Sequence, residues 1–265
     1  MSNTAVIYTK KGHIAHITLN RPEVDNIVNQ QLDQEMEDIC CRINQDDSIY
    51  AVVITGAGYR VFCAGSESER LIQTGKTVRA SSAKLKDVST KYNIATAIAS
   101  IDRPVIATIN GDALGLGLEL ALSCDIRLAA QRARFGLPQV ASGLIPTGGG
   151  TQRLPRLIGR GKALELILTA ETISAEEAFE IGLVDQVVPQ ENLASEAETL
   201  VQTIASKAPI ALRYIKEAVN KGMDLTLEQG LRLEADLYFL LHTTADRTEG
   251  IKAFLGKRPP HFKGR

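Results

Sequence analysis

Two stretches, VVITGAGYRVFCAGSE (52–67) and VIATINGDALGLGLE (105–119), share one order: a short apolar run, then a glycine-bearing turn. Short apolar runs bounded by glycine read as buried strands. The second stretch continues into LALSCD (120–125), so a lone acid, Glu119, sits in an apolar helix just past its turn. IRLAA (126–130) then reads as another strand. The order strand, loop, helix, strand repeats, which predicts an α/β fold with helices packed on a sheet.

The flanking sequence extends this reading. AVIYTKKGHIAHITLN (5–20) holds two extended runs around a KKG turn, a hairpin signal. NQQLDQEMEDICCRINQD (29–46) places Leu32, Met36, Ile39, Cys40 and Ile43 on one helical face, with Asn29 as its cap. After residue 148 the pattern is mostly helical. SAEEAFEIGLV (174–184) opens with a Ser174-to-Glu177 capping box, and 191–208 and 225–242 are amphipathic. The polar region 67–88 is weakly periodic and is expected to form a mobile loop or partly helical lid. There is no strict internal repeat. The apolar faces of the C-terminal third exceed what one core covers, which predicts an oligomerisation surface.

Bulk properties narrow the function. The 265 residues carry 44% apolar and 23% charged side chains, an ordinary globular balance. The formal net charge of −1 offers no basic excess for nucleic acid. Cys40, Cys41, Cys63 and Cys124 form no CxxC pair and read as free thiols of a reducing compartment. His13, His16, His242 and His261 lack ligand spacing, so no metal site is expected. The N-terminal stretch has no apolar signal-peptide core, and no run of about 18 apolar residues predicts a membrane span. A cytoplasmic location is the expectation.

The glycine turns carry the chemistry. A glycine turn leading into a helix leaves backbone N–H groups unpaired and aimed at one spot. Two such turns brought together place two donors on one oxygen, an oxyanion hole for a carbonyl that becomes an enolate. Taken singly, each turn reads equally as a tight, closely packed connection. GLGLE (115–119) breaks the dinucleotide pattern GxGxxG, and TGGGTQR (147–153) lacks the Lys-Ser/Thr ending of a P-loop. Glu119, walled by Leu116, Leu118, Leu120 and Leu122, would be desolvated and its pKa raised toward that of a working base. The competing reading is a surface glutamate that stabilises the helix start.

At these residues the chain resembles the enoyl-CoA hydratase/isomerase (crotonase) superfamily. LNRPEVDN (19–26), FCAGSE (62–67), residues 110–130, residues 133–159, ISAEEAFEIGLVDQVVP (173–189) and ADRTEGIKAFLGKR (245–258) occur in family order. The resemblance implies a crotonase-like spiral of ββα units over 1–200 and a helical C-terminal trimerisation segment over 201–265. It implies homotrimers, often paired into hexamers. It also implies an acyl-CoA thioester substrate, with coenzyme A part of the substrate and no separate cofactor. The two oxyanion-hole N–H groups fall on Ser66 and Leu116. Contacts to the coenzyme fall on Val24, Asn26, Ala64 and Glu67. Phe254 and Lys257 match positions that close the coenzyme site, sometimes from a neighbouring subunit.

The family's hydratases carry two glutamates. The first falls on Glu119; the second falls on Gln139, in a PQ pair where PE is usual. Glutamine orients water but carries no proton at neutral pH. The leading expectation is hydration, with Glu119 as main acid/base and Gln139 positioning water. Thr147, where the family often has glycine, would hold a water or an acyl substituent, or merely cap a turn. One alternative is isomerisation or other enolate chemistry, such as decarboxylation or ring processing, on a specialised acyl-CoA. Another is a catalytically silent acyl-CoA-binding paralogue.

Overall fold

The computed structural model describes residues 4–67, 69, 70 and 94–265. The expected lid at 67–88 therefore lies almost wholly outside the described residues. The chain opens with the expected hairpin, β1 (Val6–Lys11) and β2 (Ile14–Leu19), paired antiparallel. Helix α1 (Gln30–Gln45) buries Leu32, Met36, Ile39, Cys40 and Ile43, the five residues at helical spacing. Asn29 caps it: its Oδ1 accepts from the Leu32 N–H at 2.9 Å. Each of the large side chains among them contributes about 1.5–3 kcal/mol by leaving water.

Strands β3 (Ala51–Gly56), β5 (Val105–Ile109) and β7 (Ile126–Ala130) are the three apolar runs of the sequence. With β10 (Gln186–Val188) they complete a six-stranded sheet of order β1-β2-β3-β5-β7-β10, parallel from β2 onward. A second sheet of order β4-β6-β8-β9 is built from three-residue strands: β4 (Val61–Cys63), β6 (Asp112–Leu114), β8 (Arg134–Gly136) and β9 (Thr172–Ser174). Each of β3, β5 and β7 is thus followed by a partner strand in the small sheet. The repeat that sequence identity hides is present in three dimensions, as a spiral of two-strand turns with intervening helices.

Helix α2 (Ile94–Ala99) and helix α3 (Leu116–Leu122) join the main hydrophobic core, with α3 packed close to β4 and β6. Gly117 of α3 permits this. A Cβ there would overlap the Cys63 carbonyl oxygen of β4 and stand 2.9 Å from the Cys63 Cβ. Helices α4 (Gly150–Ile158), α5 (Arg160–Thr169) and α6 (Ala175–Glu180) follow. Ser174 caps α6 as expected, accepting from the Glu177 N–H at 3.1 Å. Glu177 itself turns outward and pairs with Lys162 at 3.1 Å.

Helix α7 (Leu193–Ala205) lays Leu193, Ala197 and Val201 against the outer face of the large sheet. The boundary expected at residue 200 falls inside this helix. Three further helices end the chain: α8 (Pro209–Gly222), α9 (Leu227–Leu241) and α10 (Ala245–Leu255). They leave large apolar side chains in water, among them Leu227 (80% exposed), Phe239 (73%) and Phe254 (83%). All four cysteines are free, and Cys40, Cys63 and Cys124 are buried. Among the described residues, no helix is long and apolar enough to cross a membrane.

Candidate active site

Parallel pairing of β4 with β6, Val61 opposite Asp112 and Cys63 opposite Ala113, carries both strands out at the same end. The turns that follow them are therefore neighbours. One is Ala64-Gly65-Ser66; the other is Gly115-Leu116, the start of α3. Gly65 (φ +112°) and Gly115 (φ +54°) both occupy the left-handed region that glycine favours. The first turn is fixed by hydrogen bonds across to Val28: the Val28 N–H donates to the Gly65 carbonyl and the Glu67 N–H to the Val28 carbonyl, both at 2.9 Å.

Glu119 lies one turn into α3 and is fully buried, which excludes the surface-glutamate reading. Its Oε1 accepts from the Gly150 N–H at 2.7 Å, and its Oε2 faces the Gln139 Nε2 at 3.4 Å. Gly148, Gly149 and Gly150, the run that is no P-loop, form the wall around this carboxylate. A Cβ on Gly148 would stand 3.0 Å from the Glu119 Cβ, and one on Gly150 would stand 3.1 Å from Oε1. Burial is the largest effect on this group and pushes its pKa up to about 7. The Gly150 N–H opposes the shift, the nearby charge of Glu69 adds to it, and Arg153 opposes it.

Gln139 sits on a 3₁₀ turn, Pro138–Ser142, directly after β8. It is 2% exposed. Its Nε2 donates to Glu69 Oε1 at 3.0 Å and faces Glu119 Oε2 on its other side. Its Oε1 is buried and has no hydrogen-bond partner among the described residues. An unpaired buried acceptor costs free energy, so such an atom marks a place where a ligand or water is held.

Glu69 is a site residue that the sequence reading does not single out. Its Oε2 accepts from the Ser66 N–H at 2.7 Å, and its own N–H donates to Ser66 Oγ at 3.3 Å. Ser66-Glu67-Ser68-Glu69 is the S-x-x-E signature of a capping box, a local signal that could have found it. The carboxylate lies between the two turns: a Cβ on Gly65 would be 2.5 Å from Glu69 Oε2, and one on Gly115 would be 3.0 Å from it.

A cavity of about 1680 Å³ opens beside these groups, walled in part by Ser66, Glu67, Leu116 and Thr147 and on the far side by α8 residues such as Ile215 and Val219. The remaining expected contacts divide. Ala64 is half-buried in the first turn, and Val24 ends the short 3₁₀ turn Pro22–Val24. Glu67 is paired with Arg21 at 3.0 Å. Asn26 is buried and its side chain is spent on the fold: Nδ2 donates to the carbonyls of Ala57 and Val61, and Oδ1 accepts from the Arg21 N–H, each at 3.0 Å. Phe254 and Lys257 are exposed at the end of α10 and are not in the wall of the cavity.

A two-sheet spiral whose paired turns flank a buried carboxylate defines a class of fold, and comparison with known proteins places the chain within it. The family model for enoyl-CoA hydratase/isomerase matches residues 9–265, and the chain belongs to that family. A crotonyl-CoA hydratase of Syntrophomonas wolfei is 39% identical, over 99% of each chain. A short-chain-enoyl-CoA hydratase of Clostridium acetobutylicum is 39% identical, over 96% of this chain and 95% of its own. The crystal structure of an enoyl-CoA hydratase from Bacillus anthracis superposes with a TM-score of 0.91 at 40% identity, covering 98% of this chain and all of the other.

Proposed function

We propose that the chain hydrates a 2-enoyl-CoA thioester, with Glu119 as the main acid/base group. The observation that carries this reading is a fully buried carboxylate with its pKa pushed up to about 7, beside an amide whose oxygen has no hydrogen-bond partner among the described residues. A carboxyl group poised near neutrality both gives and takes a proton at working pH. In the reaction, a water oxygen bonds to Cβ and the double-bond electrons move toward the thioester oxygen. The backbone N–H groups of Ser66 and Leu116 stabilise that oxygen as it gains charge. The water gives up one proton as its oxygen bonds, and Glu119 delivers one to Cα, so the proton count is unchanged. Gln139 Oε1 accepts a hydrogen bond from the attacking water and aims it. Thr147, in the cavity wall, borders the acyl chain. Val24, Asn26, Ala64 and Glu67 belong to the loops that receive the coenzyme, and the side-chain commitments of Asn26 leave main-chain contacts for it. No separate cofactor takes part.

The deciding experiment is a panel of enoyl-CoA thioesters followed by mass spectrometry. Hydration is expected, seen as a product heavier by one water. A product of unchanged mass with a moved double bond would replace the reading with isomerisation. Binding without any turnover would replace it with a silent acyl-CoA-binding protein.

The assembly is proposed on separate grounds. Leu227, Phe239, Phe254 and Leu255, each over 70% exposed, lie on the last two helices, and such patches mark protein contacts. Residues 201–265 are accordingly proposed as the trimerisation segment, with Phe254 and Lys257 reaching the site of a neighbouring copy. Light scattering at micromolar concentration is expected to give a trimer or hexamer. A stable 28.7-kDa monomer would contradict this.

A further inference from the structure

Gln139 is held between two carboxylates, and the hydratase reading uses one of them. Its Nε2 donates to Glu69 Oε1 at 3.0 Å and faces Glu119 Oε2 at 3.4 Å. The other Glu69 oxygen occupies the Ser66 N–H at 2.7 Å, the donor assigned above to the thioester oxygen. Gly65 and Gly115 leave room for that carboxylate between the two turns, since a side chain on either would press on Oε2. The oxygen thus stands where a substrate oxygen bound to the same amide would stand.

We propose that Glu69 is the second catalytic carboxylate of this enzyme, replacing the acid absent from position 139 and yielding the Ser66 N–H to the thioester when substrate binds. The inference rests on the hydratase reading. Substrate carbonyl takes the amide and displaces Oε2. Oε1 stays tethered to the Gln139 amide, within reach of the reacting carbons. Water then bonds to Cβ and its proton passes to Glu69. The double-bond electrons form the enolate, and the protonated Glu119 carboxyl delivers its proton to Cα. The two carboxyl groups finish with their proton exchanged, and transfer through solvent restores them, so charge and atoms balance. Two acids on either side of one amide do the work that two glutamates do when position 139 is itself glutamate.

A capping box alone would explain the same hydrogen bonds, and the test separates the two roles. Glu69→Gln keeps the box, because glutamine Oε1 still accepts from the Ser66 N–H, while its Nε2 replaces the acceptor of the Gln139 amide and the proton carrier is lost. Kinetics are measured on the best enoyl-CoA of the panel, with melting temperature as control. The expected result is a fall in kcat of about 10²-fold or more, with KM not raised and melting unchanged. The double variant Glu69→Gln/Gln139→Glu, which returns a carboxylate to the site from the other side, is expected to recover at least about tenfold of that loss. Full kcat in Glu69→Gln would overturn the proposal and leave Glu69 a capping residue. If Glu69→Gln melts far below the wild type, the double variant decides: recovery supports the proposal and no recovery overturns it. A wild-type protein that turns over no enoyl-CoA sinks the hydratase reading itself, a result distinct from an active wild type matched by an active Glu69→Gln.

Discussion

Replacing Glu119 with glutamine is expected to lower turnover by about 10²–10⁴-fold while acyl-CoA binding stays close to that of the wild type. The side chains match in size, and glutamine Oε1 can still accept from the Gly150 N–H, so packing is kept and proton transfer is lost. The same change has a stability signature of opposite sign. A glutamate in water titrates at 4.5, and burial lifts Glu119 to about 7, so the folded chain holds this proton more tightly than the unfolded one. Stability therefore declines as pH rises from about 4.5 through about 7, and above that the buried charge costs on the order of 3 kcal/mol. Glutamine removes this cost. At pH 8 the variant should melt several degrees above the wild type, at ~2–4 °C per kcal/mol, and the gap should shrink toward pH 5. Calorimetry at both pH values beside a crotonyl-CoA assay reads both effects. Undiminished turnover would end the claim that Glu119 is the acid/base group.

The glycines at 148–150 bear directly on that expected trade-off between activity and stability. Hydrogen bonding from the Gly150 amide is the largest of the effects that make a buried carboxylate tolerable, and glycine at 148 lets the loop approach it closely. The acid is legible in the sequence, because one carboxylate in LGLGLELAL has few reasons to be there. The cradle is not, because TGGG lies some thirty residues further along and only the fold joins them.

The same division holds elsewhere. Leu32, Met36, Ile39, Cys40 and Ile43 are legible as one face, since a sixteen-residue helix gives several turns of periodicity. The small sheet is not, because a three-residue strand shows no alternation. VFC, DAL and RFG therefore read as parts of turns, loops or unassigned sequence. Pairing of the two glycine turns follows from that unseen sheet. Glu69 escapes notice for a different reason: its capping signature is local and visible, but its reach to Gln139 spans seventy residues. Phe254 and Lys257 are assigned by resemblance, and within one chain neither lines the cavity; Phe254 is one of the exposed apolar side chains that the proposed assembly would cover.

Gly117→Ala is expected to be the most damaging small substitution in the scaffold of the site. The added methyl would overlap the Cys63 carbonyl oxygen and approach the Cys63 Cβ to 2.9 Å. A backbone carbonyl in a paired strand has no alternative rotamer, so strand β4 and helix α3 must move apart. Overpacking of this kind costs about 3 kcal/mol or sometimes more, which lowers Tm by ~6–12 °C. The displacement also falls on the site, because β4 leads directly into Ser66 and α3 begins at Leu116. Separating those two amides by even a fraction of an ångström would weaken the pair of donors proposed to hold the thioester oxygen, so kcat should fall along with stability. Gly161→Ala is the matched control. It lies in the first turn of α5, where an added Cβ meets nothing within 4 Å, and it should leave Tm unchanged or raise it through better helix propensity. Thermal melts and crotonyl-CoA kinetics on the two variants separate a general intolerance of added methyls from the specific closeness of α3 to β4. Equal melting of Gly117→Ala and wild type would show that the strand and helix have room to part, and that their contact does not set the spacing of the two turns.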